Sequence, residues 1–383
     1  MAASELHAGE VEDAERHLDG GILLARWMKR PYLEIFGLGW SAQLASLRST
    51  TLTVERATQA IELARQHGWS EEPIVSPACA ALAAAMAWQG RLDEAQSVLE
   101  HADWAVQSVG PVAGMVQYAL GLLALARGRH QDAVDAFGAA KLPDEGDVTP
   151  LASRTRGFLL QTLVAMGELE SAEQALGGLE EPESGPAQAR IALAALRLAQ
   201  DDPDAATTAL APLLDRFAPA AGTQLWAVQA FLLDALAHDT LGDAGAAERA
   251  LERALDLAEP DGLLLPFLLH PAATQLLKRH SRYRTTHASL ISDALALLAG
   301  SQPAARLAEP HPLAEPLSES ETRVLRYLPT NLSKREIADE LCVSVHTVKT
   351  HIQHLYNKLD VHCRRDAVTR ARTLGLLAPS ACG

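Results

Sequence analysis

A pattern of small and apolar positions repeats through the long first part of the chain. Each copy has a glycine or aspartate, a short polar turn, an alanine and then a leucine or phenylalanine, as in Gly90, Ala95 and Leu99. The last five turns are roughly 35 to 40 residues apart, a spacing typical of stacked helical hairpins. The turns lie at Gly9, near Thr51, and at Gly90, Gly128, Gly167, Asp202 and Gly242.

Each position of the pattern has a physical role in a helical hairpin. The glycine ends the first helix in the left-handed conformation, which costs it no Cβ clash. The alanine lets the second helix approach closely, and the larger apolar residue covers the seam. Each hairpin then buries its apolar face only against its neighbours, so we predict an all-α, tetratricopeptide-like solenoid with a concave surface over residues 1–299. A non-repetitive helical bundle is the alternative. The alanine and its larger partner are Ala14 and Leu18, Ala95 and Leu99, Ala133 and Phe137, Ala172 and Leu176, Ala206 and Leu210, and Ala247 and Leu251.

The pattern is interrupted between residues 300 and 316. Proline fixes φ and lacks a backbone donor, so a helix cannot run through several prolines in close succession. We therefore predict a semi-extended linker over this range. Its prolines are Pro303, Pro310, Pro312 and Pro316.

A compact helical pattern occupies residues 317–379. Ser318 with Glu321, and Ser333 with Glu336, have the Ser-x-x-Glu spacing of capping boxes, which predicts the starts of two helices. The residues expected to face inward are Val324, Leu325 and Leu328 in the first helix and Ile337, Ala338 and Leu341 in the second.

A third helix follows a short turn and has two different faces. Ser344 can cap its start, directly after the turn at Val343. The apolar stripe consists of Val345, Val348, Ile352, Leu355 and Leu359. The opposite face consists of His346, Lys349, Thr350, Gln353 and Asn357. An exposed polar face is often only solvated, but here no acidic residue interrupts it, which suits contact with phosphates. The arrangement predicts a helix-turn-helix reader of DNA.

The amino-acid composition restricts the possible fold classes and locations of the protein further. A hydrophobic content of 48% with 21% charged residues excludes wholesale disorder, and only 4% aromatic residues with abundant alanine favour packed helices over a β-sandwich. The sequence contains no run of 18 apolar residues, so it predicts no membrane-spanning helix. The start of the chain is acidic, unlike a signal peptide, and the 4 cysteines form no CxxC pair. We therefore expect a cytoplasmic protein.

Charge is distributed unevenly. The net charge of the chain is −15, yet the segment from Leu313 to the C-terminus holds 10 basic and 8 acidic residues. The asymmetry suggests an acidic body that carries a small, locally basic nucleic-acid module, although chance drift of surface charge gives the same picture.

The two patterns resemble known families. The repeats look like a tetratricopeptide array with a longer period, and residues 26–34 and 54–64 are similar to the helical domain of MalT-like large regulators. Residues 316–325, 332–341 and 345–352 resemble the four-helix LuxR/FixJ-type DNA-binding domain over about 60 residues. The chain thus resembles the C-terminal two-thirds of a large ATP-binding LuxR-type regulator that lacks the N-terminal ATPase module.

The resemblance implies roles for individual residues. Contacts to bases would come from Lys349, Thr350 and Gln353, and contacts to phosphates from Thr347, His351 and Lys358. His346 and Asn357 lie on the same face. The fourth helix, about residues 364–374, would form the homodimer contact on DNA.

Three positions depart from the family pattern. Asp360 stands where the family usually has glycine, and Cys363 is a poorer cap than the usual serine. An amide, Gln353, occupies the third base-reading position, so the preferred bases are left open.

Chemistry other than binding has no support in the sequence. No lysine follows a glycine, so a phosphate-binding loop is absent, and we predict no enzyme activity, cofactor or metal. His351 and His354 share a face, but without a carboxylate or thiol nearby a phosphate contact or a surface role is favoured over a metal site.

The function predicted is therefore a sequence-specific transcription regulator that binds double-stranded DNA. The repeats would act as the sensor or partner-binding region for an unidentified effector, and RNA polymerase is a further candidate partner. Two alternatives are a signalling NTPase and a solenoid adaptor for protein interactions in which DNA binding is secondary.

Overall fold

The computed structural model describes most of the first part of the chain and selected residues of the rest. It covers residues 11–100, 111–140, 149–177, 187–217, 225–280, 285–300, 317–325, 327–328, 337–338 and 343–359, and the single positions 341, 367, 371 and 376. The chain divides into two compact units, Met1–Gln302 and Pro303–Gly383, called here the repeat unit and the C-terminal unit. The predicted linker at 300–316 lies outside the described residues except for Gly300.

Every regular element in the described ranges is helical, which confirms the all-α fold. Two short 3₁₀ turns, Pro73–Val75 and Glu259–Asp261, separate some of the helices. In the repeat unit the helices are α1 (Val11–Trp27), α2 (Pro31–Ala45), α3 (Thr50–Gln66), α4 (Ser76–Trp88), α5 (Leu92–Glu100), α6 (Pro111–Ala126), α7 (His130–Ala139), α8 (Pro150–Ala165), α9 (Leu169–Gly177), α10 (Ala187–Ala199), α11 (Pro203–Phe217), α12 (Leu225–Thr240), α13 (Ala244–Ala258), α14 (Leu265–Leu269), α15 (Ala273–His280) and α16 (Ala288–Leu298). In the C-terminal unit they are α17 (Glu319–Leu325) and α18 (Val345–Leu359).

Four turns of the repeats have the predicted left-handed glycines, and the predicted turn at Gly9 lies outside the described residues. Gly90 has φ 73°, and the N–H of Arg91 donates to the carbonyl of Met86 at 2.9 Å. This bond, from the residue after the left-handed position back into the last helical turn, is the Schellman pattern that satisfies a free helix-end carbonyl. The same left-handed conformation occurs at Gly128, Gly167 and Gly242.

The copy that the sequence places at Asp202 is displaced by one residue. The left-handed residue is Asp201, with φ 60°, and it takes the position that glycine has elsewhere. Asp202 instead starts the next helix, because its Oδ1 accepts the N–H of Ala205 at 3.0 Å. Aspartate tolerates the left-handed region better than most residues, which explains why the turn survives without glycine.

The alanines and larger apolar residues of the pattern form the helix seams as predicted. Ala95, Ala133 and Ala172 have no exposed surface, and Leu99 and Phe137 are almost fully buried. One continuous apolar cluster runs from Ala14 to Ala294. Ala172 and Leu176 belong to a second, smaller cluster with Leu160, Ala192 and Leu196, so the seam positions hold the hairpins together in one large and one small apolar core.

One segment breaks the rule that each hairpin contacts only its neighbours. The carboxylate of Asp261 accepts from the hydroxyl of Ser49 at 2.8 Å and from the N–H of Thr51 at 3.1 Å. The N–H of Leu264 donates to the carbonyl of Trp88 at 2.8 Å. The apolar run of residues 263–267 is buried, and covering it requires surface from early repeats. The prediction of purely nearest-neighbour packing is wrong at this segment.

Five aromatic rings from five helices meet inside the repeat unit. Phe158 stacks on Phe137 with centroids 6.2 Å apart and lies 5.2 Å from Trp226. Trp88 contacts both Phe158 and Trp226 edge-on, at 5.7 and 5.8 Å. Tyr118 lies 6.2 Å from Phe158 and completes the cluster. These large side chains fill space between helices whose seams are lined mainly by alanine.

The first hairpin exposes several large apolar side chains. Trp27 is 82% exposed and Leu23 is 65% exposed. This end of the array is therefore uncovered by the rest of the described chain. None of the helices in the described ranges is both long and apolar enough to cross a bilayer.

The C-terminal unit has its own small core. Side chains of α17 and α18 pack together with Ile337 and Ala338 of the predicted second helix and with Ala367 and Ala371 of the predicted fourth. The first capping box is confirmed, because Ser318 N–H donates to Glu321 Oε2 at 2.8 Å and Glu321 N–H to Ser318 Oγ at 3.3 Å. The second, Ser333 with Glu336, lies outside the described residues.

Candidate nucleic-acid interface

The start of α18 is fixed by the cap that the sequence predicts. The N–H of Thr347 donates to Ser344 Oγ at 3.0 Å, and the N–H of Val348 donates to the Ser344 carbonyl at 3.1 Å. The hydroxyls of Ser344 and Thr347 also lie within hydrogen-bond distance, at 2.8 Å. The cap satisfies N–H groups of the first turn of α18 and so fixes where the helix begins.

One face of α18 packs into the core of the C-terminal unit. Val348 and Leu355 have no exposed surface, and Ile352 is 4% exposed. Val345, which the sequence places in the same stripe, is 37% exposed, so that prediction is wrong. Val345 is the first residue of the helix, where no preceding turn covers it. The side chain of Leu359 lies outside the described residues.

The residues predicted to contact DNA differ in how exposed their side chains are. Lys349 and Thr350 are exposed, while Thr347 and His351 are half-buried. Because Val348 and Ile352 point into the core, the exposed pair projects away from it. The side chains of His346, Gln353 and Asn357 lie outside the described residues, so their roles stay predictions.

Lys358 is held by an acidic residue of another helix. Its Nζ is 3.0 Å from Oε2 of Glu321, whose side chain is only 5% exposed. Burial alone would raise the pKa of Glu321, but the hydrogen bond from Ser318 and the hydrogen bond and charge of Lys358 outweigh it, so this pKa lies below its ordinary value of 4.5. The charged carboxylate therefore ties the end of α18 to the start of α17.

The sequence reasoning missed this partner of Lys358. It identified Glu321 as a capping residue, but nothing in the local pattern connects it with a lysine 37 residues later. Glu321 also lies 3.8 Å from Nδ1 of His354, so a carboxylate is near that histidine, contrary to the sequence-based argument. Within the described residues no group of histidine, cysteine and acidic side chains has the arrangement of a metal site.

The predicted fourth helix is described at only two of its positions. Ala367 and Ala371, four residues apart, are both fully buried in the core of the C-terminal unit. The remaining residues of that helix, and the departures Asp360 and Cys363, lie outside the described residues. The dimer contact assigned to this helix stays a prediction.

Comparison with known families gives two matches along the chain. The family described as MalT-like TPR region matches residues 1–282. The family described as bacterial regulatory proteins, luxR family, matches residues 315–371. A tetratricopeptide repeat protein from Parabacteroides merdae, known from a crystal structure, is 12% identical over 70% of this chain and 99% of its own, with a TM-score of 0.38. The two family matches fall on the segments where the sequence predicts the repeats and the helix-turn-helix.

Proposed function

Because the chain belongs to the MalT-like TPR family and carries a luxR-type DNA-binding regulatory domain, we propose that it recognises specific DNA sequences through α18 and that its repeats sense an effector or partner. The observation that carries the proposal is the two-sided character of α18. One side is anchored in the core, and the other presents Lys349 and Thr350. A capped, acid-free helix of this kind suits the major groove of DNA.

The proposed contacts to bases come from Lys349, Thr350 and Gln353. An exposed lysine near the start of a recognition helix can donate to O6 and N7 of guanine, a contact worth roughly 1–3 kcal/mol of discrimination. Lys349 is the fifth residue of α18, close to the Ser344 cap that fixes the direction of the helix. This placement supports a role in specificity.

The proposed contacts to phosphates come from Thr347, His351 and Lys358. Thr347 and His351 lie at and near the N-terminal turn of α18, where the helix dipole favours an anion. Lys358 has a second role, because its ammonium group already neutralises Glu321. A phosphate contact from Lys358 must therefore be shared with that carboxylate. His346 and Asn357 are proposed to flank these contacts.

Further parts of the proposal concern assembly and partners. We propose a homodimer through the last helix on DNA, because one recognition helix reads too few base pairs for useful specificity. We also propose a cytoplasmic location, an unidentified effector on the repeats and RNA polymerase as a partner. Footprints that span paired half-sites about one helical turn apart would support the dimer, and a single asymmetric half-site at every protein concentration would exclude it.

The test is a competition experiment with the full chain on DNA. The binding site is first obtained by selecting bound fragments from randomised DNA. Lys349→Ala, Lys358→Ala and the control Arg323→Ala are then compared on the selected site and its single-base variants at two salt concentrations. Arg323 is an exposed cation on α17 of the same unit, so the control removes the same charge from a different helix.

The variants are expected to differ in kind. Lys349→Ala relaxes specificity at one position of the half-site, whereas Arg323→Ala leaves specificity unchanged. Lys358→Ala reduces the salt slope by about one unit if it contacts phosphate. An unchanged slope with lowered stability of the C-terminal unit assigns Lys358 to the ion pair alone. If Lys349→Ala weakens every sequence by the same factor, Lys349 does not read bases. Partner capture without specific DNA binding would favour the adaptor function.

A further inference from the structure

Most of the exposed large apolar side chains in the described part of the chain lie on its first two helices. Of 11 such residues, 7 lie at the end of α1 and the start of α2. Together these 7 expose roughly 800 Å², which exceeds the largest apolar patch of a typical monomer and equals what one partner contributes to a standard interface. Called here the α1/α2 patch, they are Leu23, Leu24, Trp27, Met28, Tyr32, Leu33 and Phe36.

The second half of α1 is apolar on two opposite sides. Leu18 and Ile22 are buried in the large core of the repeat unit. Leu23 and Trp27, four residues apart, lie on the side away from that core. A surface helix normally has polar residues on that side, so the second apolar stripe is not explained by packing within the described chain.

Two consecutive glycines lie in the middle of α1, beside this stripe. Glycine in a helix interior is less favourable than alanine, so it usually marks a close approach of another group. Gly37 on α2 has such a reason, because an added Cβ would lie 2.7 Å from Cγ1 of Ile22. In the described part of the chain nothing beyond the adjoining residues and backbone of α1 lies within 4 Å of a Cβ added at Gly20 or Gly21. The open surface at these glycines would let a second helix approach α1 closely.

We propose that the α1/α2 patch binds a second copy of the chain, with the two α1 helices antiparallel across a two-fold axis beside Leu23 and Leu24. Each contact then occurs twice, as in other two-fold dimers. Residues at equal distances from the axis face each other, so Trp27 of one copy lies over Gly20 of the second copy. The most exposed large side chain of the patch thus fills the open surface at the glycine.

The charges on α1 suit this antiparallel arrangement. Asp19 precedes the apolar stripe, whereas Lys29 and Arg30 follow it, and all three residues are exposed. Antiparallel packing brings the acidic residue of one copy near the basic residues of the second copy at both ends of the contact. An anionic lipid surface would attract Lys29 and Arg30 but repel Asp19, so the charges favour a second copy.

Two contacts hold the patch in shape before any partner binds. The ring of Tyr32 packs edge-on against Trp69, with centroids 5.6 Å apart. Nε of Arg26 donates to Oε1 of Glu34 at 2.5 Å and links α1 to α2 next to Trp27. A preformed surface loses less conformational freedom on association, which favours binding.

The dimer has a consequence for the proposed function. Each copy carries one α18, so a dimer formed by the repeat units has two recognition helices without any contact from the predicted fourth helix. This consequence rests on the proposed DNA binding. The association itself is measured without DNA, so that failure of the dimer and failure of DNA binding give different results.

The experiment is sedimentation equilibrium of the full chain without DNA, at about 0.1–100 µM protein. We expect a monomer–dimer equilibrium with Kd on the order of 1 µM. Trp27→Ser should raise this Kd at least about thirtyfold. The controls Leu241→Ser in the repeat unit and Leu376→Ser in the C-terminal unit remove other exposed leucines and should leave it unchanged.

A second set of variants tests the geometry of the contact. Gly20→Leu fills the open surface, so it should weaken the dimer at least about tenfold, although leucine is the better helix former and should not lower the Tm of the monomer. Asp19→Lys and Lys29→Asp should each weaken the dimer about fivefold at low salt, and the double variant should restore it. Aspartate tolerates the left-handed conformation of Lys29, which has φ 53°.

Several results would overturn the proposal. A chain that stays monomeric at the highest concentration has no such dimer, and co-sedimentation of that monomer with phosphatidylglycerol vesicles would assign the patch to a lipid surface. Dissociation by Leu376→Ser but not by Trp27→Ser would place the dimer contact in the C-terminal unit. A double charge variant as weak as the single ones would exclude the antiparallel arrangement. If the chain dimerised only after removal of residues 1–10, which precede α1, that segment would be the occupant.

Discussion

Both units start helices with side-chain caps, such as Thr149 in the repeat unit and Ser344 in the C-terminal unit, but they differ in what else holds their helices. The repeat unit ends helices with left-handed residues such as Gly90 and packs them through alanine seams. The C-terminal unit starts its helices with the side-chain caps of Ser318 and Ser344 and adds the ion pair of Glu321 with Lys358. The repeat unit therefore has a large apolar core, whereas the C-terminal unit has a much smaller apolar core beside an ion pair with a buried carboxylate. The stability of the two units should respond differently to volume, charge and pH.

The aromatic composition allows the units to be observed separately. All 6 tryptophans of the chain lie in the repeat unit, between Trp27 and Trp226. Tryptophan fluorescence therefore follows the repeat unit alone. Hydrogen exchange of peptides from residues 317–359 reports on the C-terminal unit.

The largest effect is expected from a cavity in the aromatic cluster. Phe137→Ala removes a ring that is 1% exposed and stacks on Phe158, and should lower the free energy of unfolding of the repeat unit by about 3–5 kcal/mol. Urea unfolding followed by tryptophan fluorescence measures it. Leu241→Ala is the control, because Leu241 is 43% exposed. Equal losses in both variants would contradict the packing argument.

The next effect tests the ion pair of the C-terminal unit. Glu321→Gln keeps a side chain that can accept the Ser318 hydrogen bond but leaves Lys358 half-buried without a counter-charge. We expect a loss of about 1–3 kcal/mol in the opening free energy of residues 317–359, measured by hydrogen exchange.

The matched control for the ion pair lies in the repeat unit. Glu94→Gln breaks the surface pair of Arg91 and Glu94, whose side chains are 38% and 55% exposed. Exposed pairs contribute at most about 1 kcal/mol, so fluorescence-detected unfolding should change little. A larger loss from Glu94→Gln than from Glu321→Gln would reverse the proposed difference between the units.

Acid should affect the repeat unit first. Burial lowers the pKa of His270 to about 4 from 6.5, so between these values the unfolded chain binds a proton that the folded chain does not. Stability is therefore lost as the pH falls from 6.5 towards 4, by about 1–2 kcal/mol at pH 5. The pKa of Glu321 is lowered, so its contribution is present above 4.5 and is lost only as the pH falls through the folded value.

The variant His270→Gln isolates the histidine contribution. Its tryptophan-detected unfolding should lose about 1–2 kcal/mol less than the original chain between pH 7 and pH 5. Glutamine can keep a hydrogen bond to Gln229, which lies 3.3 Å from the histidine ring nitrogen. An unchanged pH dependence would assign the acid sensitivity to other groups.

The smallest expected changes in stability distinguish the roles of two adjacent aspartates, Asp201 and Asp202. Asp201→Gly relieves the left-handed strain of a residue with φ 60° and should stabilise the repeat unit by roughly 0.5 kcal/mol. Asp202→Ala removes the cap that accepts the Ala205 N–H and should destabilise it by about 1 kcal/mol. Thermal unfolding followed by fluorescence measures both changes in stability. If Asp201→Gly destabilised the repeat unit and Asp202→Ala stabilised it, the left-handed turn would lie at Asp202, as the sequence predicts.

Features encoded within one hairpin or one helix could be predicted from the sequence. The left-handed glycines, the seam of Ala133 and Phe137, and the caps at Ser318 and Ser344 each depend on residues at most a few positions apart. Such local patterns carry their own physical cause, because helix geometry fixes which neighbours meet. The exposed Val345 and the displaced turn at Asp201 show that the error at element ends is about one residue.

Contacts between distant parts of the chain were decided by the tertiary structure. Lys358 of α18 forms an ion pair with Glu321 of α17. Asp261 accepts a hydrogen bond from Ser49, 212 residues earlier. Arg154 donates a hydrogen bond to the hydroxyl of Ser46, 108 residues earlier, and no local sequence pattern predicts this contact. Periodicity determines which face of a helix is buried, but the partner on the other side depends on how many successive hairpins stack and turn. That accumulated geometry exists only in the folded chain.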